Sequence, residues 1–180
     1  MPCQITRLDS TGQFDLEIAT LFPALLHSYA ATMQAELKDL VTAVDHVGIA
    51  VADLDEAITF QSETFGLEVA HAETNEDQGV REAMLRAPGD STGATQIQLL
   101  APLREDSAIA KFLDRNGPGL QQLAYRVTDV EATMAALRAK GMRLLYDEPR
   151  RGTADSRINF VHPKDTGGVL VELVEPAQDH

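Results

Sequence analysis

The stretch HVGIAVADLD, residues 46–55, returns in altered form as QLAYRVTDVE, residues 122–131. The apolar positions of the first copy recur 76 residues later in the second. Each copy runs into an aspartate, Asp53 or Asp129, after which apolar residues continue at three- and four-residue spacings. An aspartate at such a junction is a typical helix N-cap, and Glu56 after Asp53 has the spacing of a capping box. The repeat therefore predicts a buried strand followed by a helix, twice over.

Two further matches extend the repeat. FGLEV at 65–69 corresponds to KGMRL at 140–144, and the glycine in each predicts the left-handed residue that ends a helix. QIQLLAP at 96–102 corresponds to LVELVEP at 170–176. The spacing between matched residues shortens by one residue at each step, as expected of duplicated modules whose loops have changed length. The sequence therefore predicts two copies of one small unit.

Each copy holds two more strand candidates between its helix and its last strand. They are residues 68–71 and 80–86 in the first copy, and residues 143–146 and 157–162 in the second. Each unit is thus predicted to be β-α-β-β-β. Such a unit leaves one sheet face and its edges unsatisfied, so we expect the two units to combine into one closed or half-closed cup. The predicted fold is α+β, with module one at 45–103, a connecting helix at 104–116 and module two at 119–176.

Residues 1–44 precede the repeat. Apolar residues between 24 and 43 lie at helical spacings, which predicts an N-terminal helical extension of the 45–176 domain. The start of the chain has no basic cluster leading into an apolar run, so we expect no export signal. Cys3 is the only cysteine, which excludes an internal disulfide and favours a reducing compartment. We therefore expect a cytoplasmic protein.

The charge balance narrows the function. The chain has 180 residues with 28 acidic and 15 basic side chains, for a net charge of −13. Nucleic acids and anionic membranes both bind positive surfaces, so neither is expected as the main partner. No apolar run approaches the length of a membrane-spanning helix. A chain this long buries enough surface to fold without a metal, so any metal must serve chemistry.

Four polar residues occupy equivalent positions in the two modules. His46 matches Gln122 on the first strand, and Gln98 matches Glu172 on the last. Gln98 and Glu172 each lie between apolar neighbours, so their side chains point either into the cup or to solvent. Facing one cavity, the four residues would supply imidazole, carboxylate and amide oxygen ligands for a divalent metal. Taken singly, each has a plainer interpretation, as a solvated strand residue or as a hydrogen-bonded structural histidine.

Several motifs resemble those of one superfamily. They are DHVGIAV at 45–51, EDQGVREAML at 76–85, QIQLLAPL at 96–103, LLYDEP at 144–149 and SRINFVHPK at 156–164. Together they resemble the vicinal oxygen chelate (glyoxalase/bleomycin resistance-like) superfamily and, within it, the methylmalonyl-CoA epimerases. The resemblance covers residues 45 to 176. It implies an isomerase that interconverts (R)- and (S)-methylmalonyl-CoA by removing the C2 proton from one face and returning a proton to the other.

The resemblance also implies a set of site residues. It implies a divalent metal (cobalt, manganese, zinc or magnesium) held by His46, Gln98 and Glu172, with Gln122 as the fourth ligand. The cation would stabilise the developing enolate as a Lewis acid. Glu82 would be the catalytic base, strengthened by an apolar wall that partly removes it from water. Glu172 would act from the opposite face of the substrate as the second acid/base.

The sequence departs from the family pattern at Gln121 and Gln122, where two adjacent histidines are usual. An amide oxygen binds cobalt or zinc more weakly than imidazole does, but it suits manganese or magnesium. Three outcomes therefore stay open. The protein is a working epimerase, or a metal-poor protein that only binds an acyl-CoA or another small molecule, or a related enzyme such as a glyoxalase or a decarboxylase of malonyl thioesters. Glu82 likewise has a structural alternative, as a surface residue paired with Arg81 or Arg86.

An acyl-CoA substrate carries phosphates, and one segment of this acidic chain is suited to them. Four basic residues there lie against the single acid Asp155; they are Arg150, Arg151, Arg157 and Lys164. Guanidinium groups bind phosphate oxygens in pairs, so this cluster is the predicted phosphate site. The plainer interpretation is a solvated loop with salt bridges. Members of this superfamily commonly pair modules within or between chains, so the resemblance also implies a homodimer.

Overall fold

The computed structural model describes residues 37–90 and 92–177. The strands are β1 Val41–Ala50, β2 Glu68–Asn75, β3 Val80–Arg86, β4 Gln96–Pro102, β5 Gly119–Val127, β6 Arg150–Arg151, β7 Arg157–Val161 and β8 Leu170–Glu175. The helices are α1 Leu54–Phe65, α2 Ala108–Asn116 and α3 Val130–Ala139. No helix among these residues is both long enough and apolar enough to span a membrane.

All eight strands belong to one sheet, in the order β2-β3-β4-β1-β5-β8-β7-β6. Each half of this order is one module, and the first and last strands of a module, β1 with β4 and β5 with β8, pair in parallel. The modules join through the antiparallel pair β1 and β5 at the centre of the sheet. The predicted α+β fold of two tandem modules is therefore confirmed, and the two halves build one continuous sheet.

The register repeats between the modules as the alignment requires. Glu82 on β3 pairs with Leu100 on β4, and Ile158 on β7 pairs with Val174 on β8. The matched motifs at 96–102 and 170–176 make Leu100 and Val174 equivalent. Ile158 is therefore the module-two counterpart of Glu82.

The helix ends follow the predicted signals. Asp53 Oδ1 accepts hydrogen bonds from the backbone N–H groups of Asp55 (2.9 Å) and Glu56 (3.0 Å), and α1 ends at Gly66 with φ 71°. Asp129 Oδ1 accepts one from Ala132 at 2.9 Å and so caps α3. The return bond from the Glu56 side chain, which a full capping box would add, is not made among the described residues. The predicted caps are therefore correct and the box is half formed.

Side-chain alternation divides each strand between a core face and a cup face. Leu54 at the start of α1 packs with Ala83, Leu85, Leu99 and Ala101 on one side of the module-one sheet. In module two, Val130 and Met134 of α3 pack with the strand residues Val127, Val161, Val171 and Leu173. The polar residues at alternate positions are consequently turned away from the helices, toward the concave face.

Two predicted elements have different bounds in the structure. The helical pattern predicted to reach residue 43 stops short, because strand β1 begins at Val41, which pairs with Val127 on β5. Residues 24–36 of that pattern lie outside the described residues. The connecting helix begins at Ala108 rather than at 104, because the Ser107 hydroxyl accepts from the N–H of Ala110 at 3.1 Å and caps it there.

The predicted strand at 143–146 is wrong. Only an isolated bridge between Leu144 and Val161 forms there, and regular pairing resumes at β6. The Asn159 side chain explains the interruption: it donates to the carbonyl of Tyr146 at 3.0 Å and accepts from the N–H of the same residue at 3.3 Å. An amide side chain thus replaces the partner strand's backbone at this point. In module one, by contrast, β2 continues four residues past the predicted end, to Asn75.

Candidate active site

Four adjacent strands at the centre of the sheet bring His46, Gln98, Gln122 and Glu172 together. Gln98 lies on β4, His46 on β1, Gln122 on β5 and Glu172 on β8, which are neighbouring strands in that order. All four side chains are buried, with 2 to 6 % of their surface exposed. His46 Nε2 lies 3.0 Å from Glu172 Oε2. Gln122 Nε2 lies 3.1 Å from Gln98 Oε1 and 3.4 Å from His46 Nε2, and it also donates to Glu172 Oε2. The four predicted ligands therefore form one contiguous polar cluster.

Two β-bulges shape this cluster. The β1–β5 register shifts by one residue at Asp45 and again at Gln121. A bulge inserts an unpaired residue and lets neighbouring side chains reach the same face of a sheet. Asp45 Oδ1 thereby meets His46 Nδ1 at 3.0 Å, and Gln121 lines the same cavity as Gln122. Gln121 Oε1 is buried there with no hydrogen-bond partner among the described residues, so it is an acceptor available to a ligand.

Gly48 makes room for the Gln122 side chain. It is the partner of Gln122 across the β1–β5 pair and of Gln98 across the β1–β4 pair. A Cβ at this position would lie 2.5 Å from Gln122 Cγ and 3.3 Å from Leu100 Cδ1. The glycine in the first motif is therefore required by the site rather than by a turn.

The charge of His46 is set by two carboxylates. Burial alone would lower the pKa of His46, but hydrogen bonds to Asp45 and Glu172 and their negative charges outweigh it and raise the pKa to about 9. Asp45 is in turn held by Arg126, whose Nε lies 2.6 Å from Asp45 Oδ2. Burial opposes ionisation of Asp45, yet the hydrogen bonds from His46 and Arg126 lower its pKa. A cation at His46 Nε2 would take the place of the proton that now bridges it to Glu172.

Glu82 is buried beside the cluster. Only 3 % of its surface is exposed, which contradicts the alternative of a surface residue, and Arg81 pairs instead with Asp55 at 3.2 Å. Gln98 Nε2 donates to Glu82 Oε2 at 3.0 Å, while Glu82 Oε1 has no partner among the described residues. Burial raises the pKa of Glu82 to about 7. A carboxylate with one free oxygen and such a pKa is suited to accept a proton near neutral pH.

A cavity of about 450 Å³ opens in front of these groups. Glu82, Gln98, Gln122 and Glu172 all line it. The apolar part of its other walls is formed by Val80, Leu100, Ile109, Leu145, Tyr146, Phe160 and Leu170, and the polar part includes Asp77, Gln78, Arg150, Arg151 and Thr153. A site with apolar walls and a few convergent polar groups of this size holds a small acyl group together with part of a longer arm.

Only two of the four predicted phosphate-binding residues line the cavity. Arg150 and Arg151 line the cavity, and with Arg157 they also line a neighbouring, charged depression. Arg157 is paired with Glu131 and Glu175. Lys164 lies in a short 3-10 turn and lines neither space.

Arg150 is the best placed of the three arginines. It stacks over the Tyr146 ring at 4.2 Å, and within residues 37–90 and 92–177 it makes no ion pair. Arg151 differs, because it is paired with both Glu73 and Asp155. The guanidinium of Arg150 is consequently the one whose charge is not already offset by a carboxylate.

The donor set fits a divalent metal. Gln98 Nε2 donates to both Glu82 Oε2 and Thr153 Oγ1, each at 3.0 Å, so its Oε1 is left facing the cluster. Three atoms of metal-ligand type, Gln98 Oε1, Glu172 Oε2 and His46 Nε2 once it has lost its proton, surround the Gln122 amide nitrogen, a partly positive group. A half-turn of that amide would present its oxygen as a fourth donor. No group of three or more His, Cys, Asp or Glu capable of holding a metal occurs in the described parts of the chain, so such a site depends on the two amides.

Several site residues had little or no signal in the sequence. Asp45 stands next to His46 in the first motif, but strict alternation would place it on the opposite face, and the bulge is not visible in the sequence. Glu73 and Thr153 belong to no matched position of the repeat. The curl of the sheet brings its two edges together, so that Glu73 contacts Ala154 and the neighbouring Thr153 reaches Gln98.

Comparison with known proteins gives a consistent result. Residues 45–160 match the Glyoxalase/Bleomycin resistance protein/Dioxygenase superfamily. The chain is 38% identical over 136 residues to the ethylmalonyl-CoA/methylmalonyl-CoA epimerase of Cereibacter sphaeroides, a match that covers 74% of this chain and 98% of that protein.

Solved structures agree. The crystal structure of methylmalonyl-CoA epimerase from Mycobacterium tuberculosis is 61% identical, with a TM-score of 0.73 over 78% of this chain and 91% of that one. A methylmalonyl-CoA epimerase in complex with methylmalonyl-CoA and NH4+ is 54% identical, with a TM-score of 0.73 over 76% of this chain and 96% of that one. The chain therefore belongs to the Glyoxalase/Bleomycin resistance protein/Dioxygenase superfamily and, within it, to the methylmalonyl-CoA epimerase family.

Proposed function

We propose that this protein is an isomerase that interconverts (R)- and (S)-methylmalonyl-CoA. The observation that carries the proposal is the pair of buried carboxylates, Glu82 and Glu172, lining one cavity beside a cluster of metal-type donors. Inversion at C2 needs a group that removes a proton from one face and a group that returns one to the other. Family membership and the 61% identity to a named epimerase support the same reaction.

Glu82 is the proposed base. Its free Oε1 accepts the C2 proton, while Oε2 stays hydrogen-bonded to Gln98 and holds the carboxylate in place. The pKa of about 7 leaves Glu82 ionised at slightly alkaline pH, yet basic enough to take a proton.

Glu172 is the proposed second acid/base. It is joined to Glu82 through two amides, since Gln98 contacts Glu82 and Gln122 contacts both Gln98 and Glu172. The two carboxylates are therefore held apart by a fixed chain of side chains, so that a substrate C2 can lie between them. In this scheme Glu172 takes up a proton from solvent and returns it to the face of C2 opposite Glu82, and Glu82 releases to solvent the proton that it has removed.

A divalent metal held by His46, Gln98, Gln122 and Glu172 would supply Lewis-acid stabilisation of the enolate oxygen. Two amide oxygens, one imidazole and one carboxylate make a harder donor set than one with two imidazoles, which favours manganese or magnesium over cobalt or zinc.

Arg150 is the proposed contact for the phosphates of coenzyme A. Its guanidinium lies at the cavity wall beside Tyr146 and has no carboxylate partner among the described residues. Arg150→Ala is expected to raise KM for the CoA thioester roughly tenfold, the loss of about one charged hydrogen bond. KM for the matching pantetheine thioester, which lacks the nucleotide phosphates, should not change. Arg157→Ala is the control, because Arg157 is already paired with Glu131 and Glu175.

The proposal includes a cytoplasmic location and a homodimer. The single cysteine supports a reducing compartment. The superfamily's habit of pairing modules supports a dimer, although both modules of this cup come from one chain. Light scattering of the purified protein tests the dimer, and a monomer at micromolar concentration would contradict it.

Proton exchange is the decisive test. One epimer of methylmalonyl-CoA, incubated with the protein and manganese in deuterated water, should lose its configuration and gain deuterium at C2. Glu82→Gln should lower the rate by about 10²- to 10⁴-fold, the usual contribution of a general base, while acyl-CoA binding is largely kept. Absence of exchange in the wild-type protein with manganese, magnesium or cobalt would refute the epimerase proposal and leave an acyl-CoA binding protein.

A related substrate is a second candidate. The Cereibacter sphaeroides relative is named for ethylmalonyl-CoA as well as methylmalonyl-CoA. The apolar walls beside the site, which include Leu100, Phe160 and Leu170, would accept one more methylene. The same exchange measurement with ethylmalonyl-CoA, compared by kcat/KM, distinguishes the two acyl groups.

A further inference from the structure

The two edges of the curled sheet meet at Glu73. This residue lies on edge strand β2, while the opposite edge is β6 and the turn that follows it. Glu73 Oε1 lies 3.2 Å from Arg151 Nη1, and Glu73 Oε2 accepts from the N–H of Ala154 at 3.1 Å. His71 Nε2 approaches the same Oε2 at 2.6 Å. One carboxylate of module one thus holds residues 150–156 of module two, a segment we name the strap.

The strap has a backbone that needs external support. Ala154 has φ 52° and Asp155 has φ 58°, and these are the two non-glycine residues with positive φ in the described chain. Residues with a Cβ rarely adopt this left-handed region, and they persist there only when surrounding contacts hold them. Within the strap, the N–H of Gly152 bonds to the carbonyl of Ser156 at 2.8 Å, and Arg151 pairs with Asp155 at 2.6 Å. Glu73 supplies the contacts from the other side of the cup.

The strap brings Thr153 to Gln98, which is hydrogen-bonded to the proposed base. Thr153 Oγ1 accepts a hydrogen bond from Gln98 Nε2 at 3.0 Å. The same Gln98 Nε2 donates to Glu82 Oε2 at 3.0 Å, so the Thr153 hydroxyl and the Glu82 carboxylate are held by one amide group. Glu73 and Glu82 also face each other across the β2–β3 pair. Glu73 therefore lies beside the base across the β2–β3 pair, and it also holds the strap whose Thr153 contacts the amide bonded to the base.

We propose that Glu73 is a positioning residue for the reaction, which anchors the strap so that the Thr153 hydroxyl holds the Gln98 amide that is hydrogen-bonded to the Glu82 carboxylate. The inference rests on the proposed function, in which Glu82 takes the C2 proton. Glu73 lines no wall of the catalytic cavity, so it does not act by contact with the substrate.

A double-mutant cycle tests this role. Glu73→Gln keeps the size of the side chain and removes the charge that binds Arg151, and Thr153→Val keeps the shape and removes the hydroxyl. Glu73→Gln is expected to lower kcat about tenfold, since small misplacement of a catalytic group is costly, with a smaller change in KM. Residues that act through one another are not additive. The double variant should therefore be about as slow as Thr153→Val alone, and Thr153→Ser should restore most of kcat.

Hydrogen–deuterium exchange gives a readout that does not depend on activity. The amides of residues 150–156 should exchange faster in Glu73→Gln than in the wild type. Glu131→Gln is the matched control: it removes an ion-pair partner of Arg157 in the same module, and both kcat and strap exchange should stay at wild-type values.

The outcomes separate the claims. Unchanged strap exchange in Glu73→Gln would show that Glu73 is not the anchor. Faster exchange with wild-type kcat, or additive effects in the cycle, would show that the anchor does not position the base. A wild-type protein that exchanges no C2 proton would instead refute the proposed function, while the amide exchange still decides whether Glu73 holds the strap.

Discussion

Gly48 and Gln122 face each other across the central β1–β5 pair so closely that a methyl group on Gly48 would lie 2.5 Å from Gln122 Cγ. That distance is well inside van der Waals contact, and the Gln122 side chain would have to leave the cluster. Gly48→Ala is therefore expected to lower kcat/KM and manganese affinity together, by about tenfold or more. Steady-state kinetics and a metal titration measure both.

The double variant Gly48→Ala with Gln122→Ala separates displacement from general damage to the sheet. If Gly48→Ala acts by displacing Gln122, the double variant should be no worse than Gln122→Ala alone. A further loss in the double variant would point to damage elsewhere on β1.

Gln122→His should strengthen binding of zinc and cobalt. Imidazole is a better donor than an amide oxygen for these ions, so their affinity should rise by at least about tenfold relative to manganese. Competition with a metal indicator measures the affinities. Gln121→His is the matched control: the side chain is adjacent and lines the same cavity, but among the described residues its Oε1 has no hydrogen-bond partner, whereas Gln122 bonds to the other three donors. Equal gains in both variants would argue against a specific ligand position at 122.

Asp45→Asn should weaken metal binding without removing a ligand. Asp45 accepts from His46 Nδ1 and so fixes the ring with Nε2 toward the cluster. Loss of such an acceptor typically costs 10- to 100-fold in metal affinity. Asp165→Asn, which breaks an exposed ion pair with Arg143, is the comparison and should leave the affinity unchanged. Wild-type affinity in Asp45→Asn would show that the imidazole needs no help from this carboxylate.

Glu82 should make the metal-free protein less stable as pH rises. Its pKa is about 7 in the fold and near 4.5 in an unfolded chain, so the folded state holds the extra proton between these values. The free energy of unfolding should fall across that window, by up to about 3 kcal/mol at 1.36 kcal/mol per pKa unit, and then level off. Glu82→Gln removes this dependence and should be more stable than the wild type above about pH 7.

Urea denaturation in the presence of a chelator, at pH values on either side of the window, measures this difference. The advantage of Glu82→Gln should shrink as pH falls toward 4.5. A stability difference that is the same at both ends would mean that Glu82 does not titrate there.

The fold could be predicted because the same local signals occur in both copies of the repeat. The aspartate caps, the closing glycines and the alternation of strand residues are local properties, and each appears in both modules. The strand predicted at 143–146 failed because the Asn159 side chain replaces a strand's backbone pairing, a substitution that no local pattern shows.

Site residues at matched positions of the repeat could be predicted from the sequence, whereas residues placed by a bulge or by the closure of the sheet could not. His46, Gln98, Gln122 and Glu172 could be selected because equivalent strands place equivalent residues together. Their roles as ligands stay a prediction, as does the role of Glu82 as the base. Asp45 depends on a bulge, and Glu73 depends on the closure of the sheet edges, so neither could be derived from periodicity.

The pairing of Glu82 with Leu100 and of Ile158 with Val174 shows that equivalent positions of the two modules carry different side chains. Two identical modules would line the cup with the same groups on both walls, and a small acid could then bind in either of two orientations related by the pseudo-twofold axis. Here one wall carries a buried carboxylate and its counterpart carries a buried isoleucine. In the proposed reaction this asymmetry leaves one orientation in which C2 lies between Glu82 and Glu172, so a fold built from repetition can still bind its substrate in a single way.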